Sequence, residues 1–117
     1  MRKTDKKLDN QLRITLTDIC EDMLKHVDEF QWLTHFANYS NFPRSLKVVY
    51  IFETNKGLDR FQSEKAKGVV LAQVGEKLSD MGVKLKNIEN HVAFDTEENC
   101  ARDNAGKWNE RFTREYH

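Results

Sequence analysis

The stretch "LKVVYIFE", residues 46–53, runs Val48, Val49, Tyr50, Ile51 and Phe52 without a break. β-Branched and aromatic side chains favour a pleated strand. A strand with one face in water alternates apolar and polar residues; one apolar on both sides is covered on both sides. This run therefore predicts a central strand enclosed by other elements, and so a small layered α/β or α+β fold.

The elements that cover it can be read on either side. Leu8, Leu12, Leu16, Ile19, Met23, Val27 and Phe30 recur in steps of three and four. That spacing predicts an amphipathic helix over 4–29, with Thr4 at its N-cap. "TNKG" breaks the strand, and Leu58, Phe61, Val70, Val74, Leu78 and Met81 predict a helix over 57–81 that stops at Gly82. "VKLKNIENHVAFD", 83–95, reads as one or two strands. Strand, helix, strand makes a βαβ crossover onto a small, mostly buried sheet. Asp95 with Glu98, or Thr96 alone, can cap a C-terminal helix whose stripe is Trp108, Phe112 and Tyr116, with Gly106 as its weak point. All 117 residues fit one domain, 1–117, with a single core.

"FQWLTHFANYSNF", 30–42, holds five of the twelve aromatic residues and no charged one. As a strand both its faces are mixed. Trp32, Phe36 and Tyr39 at helical spacing predict a short aromatic helix over 30–39, packed on the central strand. Trp32, Tyr39 and Phe42, with His35 and Arg44 beside them, also have the composition of a binding surface. The leading expectation is a non-catalytic binding or regulatory protein that uses this surface near 30–44, on a protein partner or a second copy.

Three other constellations carry chemistry. Cations Arg44, Lys47, Lys56, Arg60, Lys65, Lys67, Lys77, Lys84 and Lys86 outnumber the acids Glu53, Asp59, Glu64, Glu76 and Asp80, although the whole chain is neutral. Local clusters of this kind suit phosphate. Within that region Leu78, Gly82, Leu85, Ile88 and Val92 fit a helix-turn-helix over 75–92, with Lys84, Lys86, Asn87 and Asn90 outward for a DNA groove. If 46–53 and 88–95 are parallel neighbours, Glu53, Asp95 and Glu98 gather at their carboxyl edge, where a divalent ion could assist phosphodiester hydrolysis. His91 beside Glu89 reads as a surface or structural histidine rather than a general base; His26, His35 and His117 are weaker candidates still, with His35 a polar handle inside the aromatic stretch. Glycine-rich phosphate loops and nucleophile or metalloprotease motifs are absent from the sequence, so catalysis finds no support and no cofactor is expected.

"MRKTDKKLDN" shows no apolar signal stretch, and no run is long enough to span a bilayer. The expectation is a cytoplasmic protein without membrane contact, its Cys20 and Cys100 reduced. At "FQWLTHFANYSNFPRSLKVVYIF" and "FDTEENCARDNAGKWNERF" the chain resembles a family of short bacterial proteins labelled Fis-type transcriptional regulator. The resemblance spans most of the chain. It implies DNA binding and points to no individual functional residue.

Overall fold

The computed structural model describes residues 2–116. The fold is α+β, with five α-helices and a three-stranded mixed sheet among the described residues. The first helix, α1 (Lys3–His26), buries Leu12, Leu16, Ile19 and Met23, as the stripe requires. Its N-cap is Arg2, without a side-chain bond; Thr4 lies inside the first turn. The helix ends at His26, and Glu29, at φ 64°, turns the chain back.

That turn leads into a strand where the aromatic spacing predicts a helix. β1 (Phe30–Phe36) lies antiparallel to β2 (Lys47–Phe52), with Trp32 opposite Ile51, Thr34 opposite Val49 and His35 opposite Val48. The mixed faces that argue against a strand have a simple cause: both faces of this sheet are covered. Only Tyr39–Asn41 is helical in the rest of the segment, as a single 3-10 turn that Asn38 caps by accepting from Ser40 N–H.

β2 pairs on its other side with β3 (Val92–Thr96), in parallel. The sheet order is β1-β2-β3, with the covered strand in the middle. Between β2 and β3 run α2 (Asn55–Ser63) and α3 (Ala66–Asp80), where the spacing predicts one helix. The break falls at Glu64 and Lys65, in the gap between Phe61 and Val70 where the apolar stripe supplies nothing to bury. Gly82, at φ 89°, ends α3: Val83 N–H bonds Leu78 O at 2.8 Å and Gly82 N–H bonds Ser79 O at 2.9 Å. This is the double closure that a left-handed residue permits after a helix.

Where the sequence reads as strand from residue 83, residues 83–87 form neither strand nor helix, and Ile88–His91 forms one 3-10 turn before β3 begins at Val92. The second helix of a helix-turn-helix is thus not formed, because Leu85 and Ile88 pack back on the core and the chain must re-enter the sheet at Val92. The C-terminal region divides near Gly106 into α4 (Glu97–Asn104) and α5 (Trp108–Glu115), through Ala105 at φ 52° and Gly106 at φ 79°.

Register assigns the two layers. Val48, Tyr50, Phe52 and Val92 face α1, α2 and α3 and join their core. Val49 and Ile51, fully buried, share the opposite face with Trp32, Thr34 and Phe36. Across that face α5 lays its stripe: Trp108 and Phe112 meet Trp32 at 5.2 and 5.9 Å between ring centres, and Phe112 meets Phe36 at 5.0 Å. Neighbours in sequence on β2 therefore serve different cores. Urea denaturation of Ile51→Ala and Phe52→Ala should show losses of about 2–5 and 3–5 kcal/mol respectively. A ribbon covered on one side only would show the loss at one of them.

Tyr50 is fully buried, and its hydroxyl has no hydrogen-bond partner among the described residues. A buried hydroxyl left unsatisfied costs about 1–3 kcal/mol. Tyr50→Phe should therefore raise the urea midpoint, against the usual direction of a core substitution.

Candidate functional site

Asp95 is buried, at 2% exposure, and among the described residues its carboxylate accepts five hydrogen bonds. It lies one residue before the end of β3, opposite Ile51, on the face that α5 covers. Its Oδ1 accepts from Thr96 N–H at 2.8 Å, Asn99 Nδ2 at 3.1 Å and Arg111 Nη2 at 3.0 Å. Its Oδ2 accepts from Arg111 Nε at 2.6 Å and the Tyr116 hydroxyl at 2.8 Å. Arg111 Nη1 donates onward to Asn104 Oδ1 at 3.1 Å. Planar guanidinium against planar carboxylate gives a two-bond fork, the strong form of this pair. Burial pushes the Asp95 carboxyl up, but the bonds from Arg111, Thr96 N–H, Asn99 and Tyr116 outweigh it and hold the group below its usual range. The sequence carries one sign of this role: Arg111 is a lone cation on the inward stripe of α5.

The carboxyl edge of β2 and β3 is occupied in the same way. Thr54 caps α2 by accepting from Gly57 N–H, and Thr96 caps α4 by accepting from Asn99 N–H. Asn55 joins the two ends, donating to Asn99 Oδ1 and accepting from the Thr96 hydroxyl, both at 2.8 Å. Glu98 accepts from Asn55 N–H at 2.8 Å, while Glu97 Oε1 receives both indoles, Trp32 at 2.8 Å and Trp108 at 3.1 Å. The expected metal centre does not form. Asp95 is filled by Arg111, Glu98 caps α2, and Glu53 points to solvent. Among the described residues no three acidic, histidine or cysteine side chains gather to hold an ion.

The aromatic set is spread over three places. Trp32 belongs to the α5 face. His35 and Tyr39 turn to α1, where Asp9 accepts from the Tyr39 hydroxyl at 2.5 Å and lies 3.8 Å from His35 Nε2. Burial, more than the opposing pull of Asp9, lowers the His35 imidazole below its usual value. Phe42 rests on Tyr39 at 5.5 Å. His26 is exposed beside Asp22, and His117 lies outside the described residues.

Arg44, by contrast, meets the residues expected to face nucleic acid. One cleft of about 310 Å3 is lined by Pro43, Arg44, Lys84, Leu85, Lys86, Asn87, Asn90 and His91. It opens at the amino end of β3, between the loop entering β2 and the loop leaving α3. Arg44, Lys84, Lys86, Asn87 and Asn90 are exposed; Pro43, Leu85 and His91 are half-buried beneath them. No carboxylate is among its described lining residues. Lys47 Nζ donates to Asn90 O at 3.0 Å and so ties the second loop to β2. His91 Nδ1 lies 2.7 Å from Leu46 O. A carbonyl only accepts, so Nδ1 carries the proton and Nε2 is the nitrogen left over. The convergence joins segments some forty residues apart, which spacing alone could not reveal.

Asp95 also fixes how the fold answers acid. Its folded pKa lies below the ordinary carboxyl value. Its contribution is thus complete above the unfolded pKa of about 3.9 and is lost as pH falls through the folded value. Asp95→Asn should cost up to about 3–5 kcal/mol at neutral pH, because Arg111 loses its buried counter-charge and keeps only the exposed Asp103, 3.4 Å from Nη1. The same variant should flatten the acid limb of a stability profile followed by urea melts from neutral pH downward. Set against known proteins, the chain matches no family model, no curated protein and no solved structure.

Proposed function

We propose that this chain is a small, non-catalytic binding module that holds the phosphates of a single-stranded nucleic acid in the cleft between Arg44 and residues 84–91. One observation carries the reading: Arg44, Lys84 and Lys86 share a cleft whose described lining has no carboxylate to neutralise them. Phosphate affinity arises largely from such unopposed cations, through release of counterions. Asn87, Asn90 and His91 add hydrogen-bonding groups to the same wall. Pro43 and Leu85 give an apolar floor for a sugar or base.

A single strand fits better than a duplex. Groove reading by a helix needs a projecting helix, and residues 83–91 hold only one 3-10 turn.

Fluorescence anisotropy with a labelled single-stranded oligonucleotide tests the reading. Three phosphate contacts predict a log–log salt slope of about −2, at roughly 0.7 per contact on single strands. Arg44→Glu, Lys84→Glu and Lys86→Glu should each weaken binding and flatten that slope; together they should abolish it. Affinity indifferent to salt, or unchanged in the triple variant, rejects the reading. So does tighter binding of a duplex of the same sequence.

A further inference from the structure

β1 is an edge of the sheet, and its outer margin from Gln31 to His35 faces no other strand among the described residues. Edge strands in stable monomers are usually blunted by lysine, proline or an inward charge, since a bare row of amides and carbonyls invites another strand. Phe30–Phe36 contains no Lys, Arg, Asp, Glu or Pro. Its one irregularity is the register shift between Phe30 and Trp32, at its beginning.

A groove of about 330 Å3 follows this margin. Leu33 and His35, on the α1 face, and Thr34, on the opposite face, all line it. Contributions from both faces mean that the groove runs along the edge of the strand. Its other wall is the overhanging flank of α1, with Arg13, Thr17 and Glu21 exposed.

We infer that this edge pairs with the same edge of a second copy, antiparallel about Leu33, to make one six-stranded sheet through the dimer. The two-fold pairing sets Phe30 against Phe36, Gln31 against His35 and Trp32 against Thr34, without placing like charges opposite each other. The α1 flank supplies the complementarity. α1 and β1 run in opposite directions through the turn at Glu29, so Arg13 lies toward His35 and Glu21 toward Gln31. Two helical turns, about 12 Å, separate Arg13 from Glu21, and Thr17 is midway, abreast of Leu33. A two-fold axis through Leu33 therefore brings Arg13 of each copy toward Glu21 of the other. A two-fold contact needs this kind of self-complementary patch.

Sedimentation equilibrium of the full chain over a range of concentrations reads the outcome. A reversible shift from 13.8 kDa to twice that mass is expected. Thr34→Lys, which sets a charge on the edge, should remove the dimer, and Arg13→Glu or Glu21→Arg alone should weaken it about tenfold. The double swap Arg13→Glu with Glu21→Arg should restore it, a recovery that general destabilisation could not produce. A chain that stays monomeric to roughly millimolar concentration overturns the inference. A dimer indifferent to Thr34→Lys, or one that the double swap fails to recover, overturns it equally.

Discussion

Asp95 stands at the carboxyl end of β3 with both oxygens filled, and the second layer of the fold hangs from it. Without α5, Val49, Ile51 and one side of β1 would lie open to water, and β2 would be covered on one face only. α5 has only two turns and reaches the sheet through a left-handed hinge at Ala105 and Gly106. A helix that short has little stability of its own. Aromatic packing supplies the area, but packing is non-directional. The fork from Arg111 to Asp95, braced by Tyr116 and Asn104, is the contact that fixes where α5 lies.

Most of this architecture is legible in the sequence wherever one pattern answers one environment. The unbroken apolar run at 46–53 reports a two-sided burial that the structure contains. The stripe of α1, the break near Gly106 and the ring ladder of Trp108, Phe112 and Tyr116 follow from periodicity in the same way. The segment 30–36 misleads because the demand for one apolar face holds only for a half-exposed sheet. A sheet covered on both faces imposes no alternation on its strands, and that holds for β1 as it does for β2. The gap between Phe61 and Val70 was equally visible, and it marks where one long helix becomes two.

The polar groups are legible singly and not as assemblies. Each cation of the basic cleft stands out in a charge count. That Arg44 meets Lys84 and Lys86 depends on how the loop after α3 returns to the sheet, and no local pattern encodes that path. The carboxylates show the reverse. Glu53, Asp95 and Glu98 do come to one edge of parallel strands, where open α/β sheets commonly keep their sites. There Asp95 is spent on Arg111 and Glu98 on the start of α2 while Glu53 turns to solvent, and the cations of the basic cleft lie at the amino end of β3 instead.

Glu97 has a consequence for spectroscopy. Its Oε1 receives Trp32 and Trp108 together, and these are the only tryptophans in the chain. All indole emission therefore originates at one locus, where α5 meets the edge strand, while the α1–α3 core is dark at those wavelengths. A fluorescence trace of this protein reports the seating of its C-terminal hairpin, and a circular-dichroism trace, dominated by the long helices, reports the rest. Were the two to separate during a melt, the gap between them would be the lifetime of a molecule with one layer already gone.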